Sequence, residues 1–158
     1  MIIKDNYMDQ FNLKILNIIQ INNKITSETL AREVGLSSSA CQRRINLMRK
    51  KKIIEKDVSI LSRNKLDRKI TIIVQVLSEK EGVEHDVQFK KTMFQASEVM
   101  QCYYITGDYD YVLITTFKEM SEYEKFTKKY FLNNPNIKRF NSMVVMNKVK
   151  ESLAIPVN

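Results

Sequence analysis

The stretch that decides the fold is TSETLAREVGLSSSACQRRINLMRKKK, residues 26–52. Thr26 can accept a backbone N–H at the start of a helix that runs to about Val34. Gly35 can adopt the positive φ that ends such a helix, and Ser37 can cap the next one. The stretch therefore predicts two short helices joined by a tight turn.

The second of these helices has two chemically different faces. At 100° per residue, Cys41, Ile45 and Met48 fall together on an apolar face. Side-chain amides match adenine, guanidinium matches guanine, and a Ser-rich helix N-terminus favours phosphate. This is the pattern of a helix-turn-helix, although an ordinary helix pair with a solvated polar face fits the two helices as well. We expect base contacts from Gln42, Arg43 and Asn46, and phosphate contacts from Ser38, Ser39, Arg44 and Lys50.

A third helix upstream favours the DNA-binding interpretation. Asp9 can cap a segment in which Ile15, Leu16 and Ile19 repeat at helical spacing. A helix-turn-helix needs such a supporting helix to bury its apolar faces. Residues 49–52 then close the recognition helix with four positive charges, which suit either phosphate or the helix dipole.

The composition fits a nucleic-acid partner. The chain has 158 residues, 44% of them hydrophobic, which is enough for one domain or two small ones. Its 26 Lys and Arg against 18 Asp and Glu give a net charge of +8, of which residues 1–62 hold +5. Positive charge attracts polyanions. Because no uncharged apolar run approaches the ~18 residues that cross a bilayer, we expect a cytoplasmic protein without a membrane partner.

Cysteine and histidine are too sparse for the usual metal or catalytic sites. Cys41 and Cys102 fall in different predicted elements among apolar neighbours, so we expect two buried, reduced thiols. The one histidine, His85, lies beside Glu84 and Asp86 at a predicted helix start, where a solvated role is favoured. Zinc sites need clustered ligands, and phosphate loops need more glycine than the three present. We predict no metal, no cofactor and no enzymatic activity.

The amino-acid pattern divides the chain into two predicted domains. Residues 54–61 look extended and could add a short strand, or wing, to a helix-turn-helix domain at residues 1–61. The polar segment SRNKLDRK, residues 62–69, predicts a linker. Residues 70–158 would form the second domain.

The second domain alternates strands and helices. Phe89, Met93 and Ala96 mark the inner face of its first helix, and a capping box of Ser121 and Glu124 would open the second. The predicted strands are Ile70–Leu77, Val99–Thr106, Tyr111–Phe117 and Ile137–Val149, with a hairpin connection at Gly107–Asp110. The order β-α-β-β-α-β predicts a ferredoxin-like unit, and hence an α+β fold. Two helices cover one sheet face, so apolar residues on the other face predict a homodimer.

Both halves together resemble the leucine-responsive regulatory protein/AsnC family, also called feast/famine regulators. The resemblance extends from Met8 to Val157. It is carried by Met8-Asp9, Lys14-Ile15-Leu16, Leu30-Ala31, Val34 to Ser37, Cys41, Arg43-Arg44-Ile45, Val99, Cys102-Tyr103, Thr106 to Tyr111, Ser142 and Val149-Lys150. The resemblance implies a winged helix-turn-helix transcription regulator that binds double-stranded DNA. It also implies a second module that senses a small effector, usually an amino acid, and forms dimers that commonly assemble into octamers.

In the family that the chain resembles, effectors bind between sensing modules near the hairpin. Asp108 and Asp110 could hold an α-ammonium group and Gly107 allows close approach, although turn chemistry alone also explains these residues. Tyr109 could equally serve packing, and Ser142 could line the pocket or an interface. The candidate effector residues are Thr106, Gly107, Asp108, Tyr109, Asp110 and Ser142.

The chain departs from the family pattern at several positions. Asn12 stands where an acid is usual, Lys24 where Arg is usual, and Lys52 where Gly normally precedes the wing; Asn46-Leu47 replaces a frequent basic pair. We therefore expect a differently arranged set of phosphate contacts. The expected function is sequence-specific regulation modulated by an effector. The alternatives are an architectural protein that wraps DNA with little specificity and a sirohaem-decarboxylase-like enzyme, for which a single histidine offers little.

Overall fold

The computed structural model describes residues 7–79 and 83–157, and of residues 83 and 84 the backbone alone. The chain forms two compact units. The first consists of the residues up to Ile60 together with the segment that begins at Lys150, and the second extends from Leu61 to Val149. The first unit contains α1 (Gln10–Ile19), α2 (Ser27–Val34) and α3 (Ser38–Lys50). The second contains β1 (Ile70–Ser78), α4 (Val83–Gln95), β2 (Val99–Tyr104), β3 (Tyr111–Phe117), α5 (Met120–Thr127), which continues as the π-helical turn Lys128–Leu132, and β4 (Ile137–Val144).

Side-chain caps fix where the helices of the first unit begin. Asp9, Thr26 and Ser37 each accept the backbone N–H of the residue three positions further along the chain. Gly35 ends α2 with a φ of 82°, a left-handed conformation that glycine adopts without a steric penalty. The predicted caps, the turn and the helix-turn-helix are confirmed.

A small apolar core holds the three helices together. Ile15 of α1 and Cys41 and Met48 of α3 are fully buried there, together with Leu30, Ala31, Val34 and Ile45. Leu16 and Ile19 pack against this core. The inner faces predicted for α1 and α3 are confirmed.

The segment that follows α3 does not form the predicted wing strand. Residues 55–62 have no regular secondary structure, and they pair with none of the strands in the described part of the chain. The prediction of a strand at residues 54–61 is therefore wrong, because an extended apolar pattern becomes a strand only where a partner completes its ladder. A bidentate ion pair holds the segment instead, since Arg49 Nε and Nη2 lie 3.0 and 3.2 Å from the Asp57 carboxylate.

The second unit is built on a four-stranded antiparallel sheet with the order β2-β3-β1-β4. Ile72, Val74 and Val76 of the central β1 are fully buried on the face that packs against the helices. The predicted inner face of α4 packs there as well. The α+β fold and the β-α-β-β-α-β order are confirmed.

Two strands end earlier than the sequence predicts. β2 ends at Tyr104 rather than Thr106, because the chain turns into the hairpin, which the Ile105 N–H closes by donating to the Asp110 carbonyl at 2.8 Å. β4 ends at Val144 rather than Val149. Among the described residues, β1 is the only strand that pairs with β4. Beyond Val144 there is little of β1 left to pair with, because Val144 lies opposite Ile72 and β1 begins at Ile70.

The start of α5 also differs from the prediction. The helix begins at Met120 with Glu119 as its N-cap, and the Ser121 hydroxyl donates to the Glu119 carboxylate. Glu124 pairs with Lys128 one turn further on. The predicted capping box of Ser121 and Glu124 is wrong because the helix starts before Ser121, which places both residues inside it.

The cysteine prediction is correct for Cys41, which is buried, and wrong for Cys102, which is exposed. Cys102 lies on β2, an edge strand, where packing is less complete than on central strands. Burial raises the pKa of the Cys41 thiol, and partial burial also raises that of the Cys102 thiol.

The described residues contain no cluster of His, Cys, Asp and Glu that could hold a metal ion. The His85 side chain is exposed, whereas the Glu84 side chain, part of the predicted acidic helix start, lies outside the described residues. None of the helices that the structure describes is long and apolar enough to cross a membrane.

Candidate DNA-binding and effector-binding surfaces

The face of α3 opposite the core is a mainly polar surface, which we call the outward face; its exposed polar residues are Ser39, Gln42, Arg43, Asn46 and Lys50. Gln42 Nε2 donates to Asn46 Oδ1 at 3.1 Å, which aligns the two amides along the helix. Within the described part of the chain, Arg43 and Lys50 have no ion-pair partner. The outward face therefore presents amide, guanidinium and ammonium groups to an external molecule.

The N-terminus of α3 adds a partly positive surface next to the outward face. Ser38 is half-buried at the first helical position, and Ser39 Oγ lies 3.2 Å from Ser37 Oγ. The first turn contains no acidic residue. Because the N–H groups of a first turn and the helix dipole both favour negative charge, this end of α3 suits a phosphate.

Arg44 differs from its neighbour Arg43, because it faces α1. Its Nη1 lies 2.8 Å from Asp9 Oδ2 and 3.0 Å from Asn12 Oδ1. The Asn12 backbone N–H, and secondarily Arg44, lower the pKa of the Asp9 carboxyl. The sequence contained a signal for this contact, since helical geometry places Arg44 only about 60° from Cys41 on the buried face.

Asn12 explains how the first unit tolerates a departure from the family pattern. Its side chain is fully buried, donates through Nδ2 to the Tyr7 carbonyl and accepts from Arg44 through Oδ1. The carboxylate that pairs with Arg44 comes from Asp9 instead. A neutral amide at position 12 therefore satisfies its buried polar atoms without placing a charge in the core.

The chain directly after α3 carries two further cations. Lys51 Nζ lies 4.2 Å from the centroid of the Tyr7 ring. Lys52 has a φ of 60°, the left-handed region that residues with a Cβ seldom occupy. Glycine at this position, as in the family pattern, would adopt that conformation without strain.

The candidate effector residues of the hairpin fall into two groups. The exposed group consists of Thr106, Gly107 and Asp108, with Gly107 at a φ of 121°. Asp110 is engaged internally, because its Oδ2 accepts the Ser78 N–H at 2.7 Å. Tyr109 is engaged as well, since the Arg139 guanidinium lies 5.0 Å from the centroid of its ring.

Ser142 does not lie beside the hairpin within one chain. It pairs with Val74 of β1, and its hydroxyl shares a hydrogen bond with the Tyr123 hydroxyl on α5. Burial raises the pKa of Tyr123. Since β1 separates β4 from β3, Ser142 and the hairpin end of β3 are about two strand spacings, roughly 10 Å, apart across the sheet.

A cleft with a volume of about 660 Å³ opens in the second unit. The end of β1, the inner side of α4, the strand ends next to the hairpin and the segment before β4 form its wall. Of the candidate effector residues, Asp110 alone lines the cleft. Sequence reasoning missed it because its wall combines segments that are distant along the chain, and no local pattern indicates such a cavity.

Comparison with known proteins agrees with both halves of this architecture. Residues 8–49 match the model of the AsnC-type helix-turn-helix domain, and residues 71–155 match that of the Lrp/AsnC ligand binding domain. An uncharacterized HTH-type transcriptional regulator of Sinorhizobium fredii is 46% identical over 95% of this chain and 89% of its own. The leucine-responsive regulatory protein of Haemophilus influenzae is 30% identical over 92% of this chain and 87% of its own.

Solved structures give the same result. An AsnC family transcriptional regulator from Agrobacterium tumefaciens superposes with a TM-score of 0.88 at 28% identity, covering 94% of this chain and 96% of that one. A transcriptional regulator from Neisseria meningitidis, solved as a complex with L-methionine, has a TM-score of 0.90 at 25% identity and covers 95% and 97%. These relatives are regulators rather than enzymes. The chain belongs to the Lrp/AsnC family of transcription regulators, with an N-terminal helix-turn-helix domain for DNA binding and a C-terminal ligand-binding domain.

Proposed function

We propose that this protein is a sequence-specific regulator that contacts double-stranded DNA through the outward face of α3, and that an amino-acid effector modulates its DNA binding or assembly. The observation that carries the proposal is the division of α3 into a buried apolar face and an exposed face of nucleic-acid-compatible side chains. Base edges are contacted by Gln42, Arg43 and Asn46, and phosphates by Ser38, Ser39 and Lys50. Arg44 positions α3 against α1 instead.

The chemistry of the outward face favours base contacts over phosphate contacts alone. The hydrogen bond between Gln42 and Asn46 uses one Gln42 N–H and leaves the Gln42 carbonyl and the Asn46 NH₂ group available. Adenine presents one donor and one acceptor in the major groove, which this pair of amides can match. The Arg43 guanidinium beside them can match guanine.

The uncovered face of the sheet supports a dimer. Residues that alternate with the buried core of β1, and their cross-strand partners, share this face: Ile73, Ile114, Val112, Tyr103 and Met143. Tyr103 is 51% exposed and Met143 39% exposed. A second copy of the chain covers this apolar surface in the proposal, and the dimers assemble further into an octamer. Two-fold symmetry then presents two copies of α3 to two half-sites.

The proposed effector site combines the hairpin with a neighbouring module. Asp108 offers an exposed carboxylate to an ammonium group, and the Gly107 backbone allows close approach. The distance between Ser142 and the hairpin within one chain is consistent with a site that two modules complete together. The L-methionine complex of the Neisseria meningitidis relative supports an amino acid as the effector class.

Selection of bound sequences from a random duplex pool tests the DNA half of the proposal. A sequence-specific regulator enriches one motif, which the full-length protein then binds roughly 10³-fold or more tightly than a scrambled duplex. Fluorescence anisotropy should also show affinity falling steeply as salt rises from low to physiological concentration. Uniform, periodic footprints on unrelated duplexes would instead support the architectural, DNA-wrapping alternative.

A thermal-shift screen of the amino acids tests the effector half. A ligand that binds only the folded state raises the melting temperature in proportion to the logarithm of its concentration. Mass photometry of the same samples reports whether dimers or octamers prevail and whether the effector changes them. A screen without any shift would remove the sensor and leave the DNA-binding proposal intact.

A further inference from the structure

We propose that the cleft beside α4, which we call the α4 cleft, binds a small ammonium ligand that has an aromatic or apolar body and an oxygen atom, and that the exposed Lys90 side chain engages two residues of its wall when the ligand is absent. The inference goes beyond the proposed function, because it adds a second ligand site that lies within one module and does not include the exposed hairpin residues Gly107 and Asp108.

The charge of the wall selects for a cation. Glu79, Asp86 and Asp110 line the cleft together with His85, and none of the described residues of its wall is Lys or Arg. Asp110 is already fixed in place by the Ser78 N–H. An anionic ligand would meet this negative potential unfavourably, whereas an ammonium group would gain charge-assisted hydrogen bonds.

Aromatic rings supply the second half of the selectivity. Tyr111 lies at the centre of a group of rings in the wall, with its centroid 4.5 Å from that of Phe89 and 5.2 Å from that of Tyr104. Tyr130 and the apolar side chain of Met93 also line the cleft. Ring faces attract cations and bury apolar bodies, so the wall fits an amine attached to an aromatic or aliphatic group.

Lys90 shows that this wall accepts an ammonium group. Its Nζ forms an ion pair with Asp86, and it lies 4.8 Å from the centroid of the Tyr104 ring. Both partners belong to the wall of the cleft. The Lys90 side chain is 47% exposed and does not itself line the cleft, so a ligand amine can displace it at little cost.

The Tyr111 hydroxyl indicates that the ligand also contains an oxygen. Tyr111 is 2% exposed, and its hydroxyl is buried without a hydrogen-bond partner among the described residues. Buried hydroxyl groups are almost always paired, and an unpaired one is unfavourable. A ligand hydroxyl or carbonyl oxygen that reaches this group would give it a partner.

Three related phenylalkyl probes separate these requirements. Isothermal titration calorimetry of the full-length protein should show binding of 2-phenylethylamine and tighter binding of L-phenylalaninol, which adds a hydroxymethyl group. 3-Phenylpropionate, which replaces the amine by a carboxylate, should bind roughly tenfold or more weakly than 2-phenylethylamine. Equal or tighter binding of the carboxylate would overturn the proposed ligand class.

Variants locate the probe. Lys90→Met removes the internal competitor and should tighten 2-phenylethylamine binding about fivefold or more. Lys91→Met is the control, because it removes the same charge from an exposed neighbour outside the wall, and it should change the affinity less than about twofold. Equal effects of the two variants would show that the amine binds elsewhere. Tyr111→Phe keeps the ring and should abolish the advantage of L-phenylalaninol over 2-phenylethylamine; an unchanged advantage would contradict the role of the hydroxyl.

Failure of this inference and failure of the proposed function give different results. An amino acid that shifts the melting temperature and the affinity for DNA, in a protein that binds none of the amines, overturns the α4 cleft and keeps the sensor. Amine binding with the predicted variant effects, in a protein whose amino-acid screen is silent, supports the cleft and overturns the effector half of the proposed function.

Discussion

The outward face of α3 and the hairpin at residues 105–110 both carry candidate binding residues, but their polar groups are engaged differently. On α3, Arg43 and Lys50 project from the surface without an ion-pair partner among the described residues. On the hairpin, Asp110 and Tyr109 are held by Ser78 and Arg139. The first surface is ready for an external partner as it stands, whereas the second uses much of its chemistry to maintain its own shape.

The difference gives a rule for separating binding residues from structural ones. A polar side chain held by internal hydrogen bonds should lower stability when it is removed, since its partners lose a bond that water only partly replaces. An exposed side chain without such bonds should leave stability unchanged and affect only binding. Substitutions in either region can confirm or contradict this division.

The largest effect is expected for Arg44→Ala. The substitution removes the hydrogen bonds to Asp9 and to the buried Asn12, and should lower the free energy of unfolding by about 2 to 3 kcal/mol. Urea denaturation measures this change. Arg43→Ala, one residue away, should stay within about 0.5 kcal/mol of the parent. Similar losses in both variants would contradict the distinction between the two sides of α3.

Arg43→Ala should show its effect in DNA binding instead. Loss of a guanidinium that contacts a base edge should cost about 1 to 3 kcal/mol on the selected motif and relax the preference at one base position. Competition anisotropy with single-base variants of the motif measures both quantities. Lys125→Ala, which removes one exposed charge from α5, is the control. A uniform loss over all sequences would place Arg43 on phosphate rather than on a base.

The hairpin allows the same separation between two aspartates. Asp110→Ala should lower the free energy of unfolding by about 1 to 2 kcal/mol, because the Ser78 N–H loses its charged acceptor. Asp108→Ala should leave stability within about 0.5 kcal/mol and weaken the response to the effector. Thermal unfolding with and without the effector compares them. A stable Asp110→Ala protein would show that the hairpin does not depend on this contact.

Local chemistry made much of the fold predictable from the sequence. The caps at Asp9, Thr26 and Ser37 and the left-handed turn at Gly35 depend on residues within one helical turn, and all four were predicted correctly. The missing wing strand and the early end of β4 depend on whether a partner strand is present. A short stretch of sequence does not contain that information.

The candidate sites were predictable to a different extent. Helical period alone identified the exposed residues of α3, although it also indicates that Arg44 borders the buried face, which the prediction overlooked. The α4 cleft, the burial of Tyr111 and the separation of Ser142 from the hairpin result from long-range packing. Such contacts join residues far apart in the chain and leave no periodic pattern.

The smallest effect is expected at Lys52, and there the two measurements should change in opposite directions. Lys52→Gly removes a strained left-handed residue and should raise the free energy of unfolding by about 0.5 to 1 kcal/mol. It also removes an exposed cation that follows α3 by two residues, so affinity for any duplex should fall and the salt dependence should become slightly shallower. Lys52→Asn removes the same charge but places there a residue that tolerates the left-handed region, which separates the backbone effect from the electrostatic one.

A Lys52→Gly protein that loses both stability and affinity would show that the lysine is held by an internal contact. The division between free and engaged side chains would then fail at the end of α3.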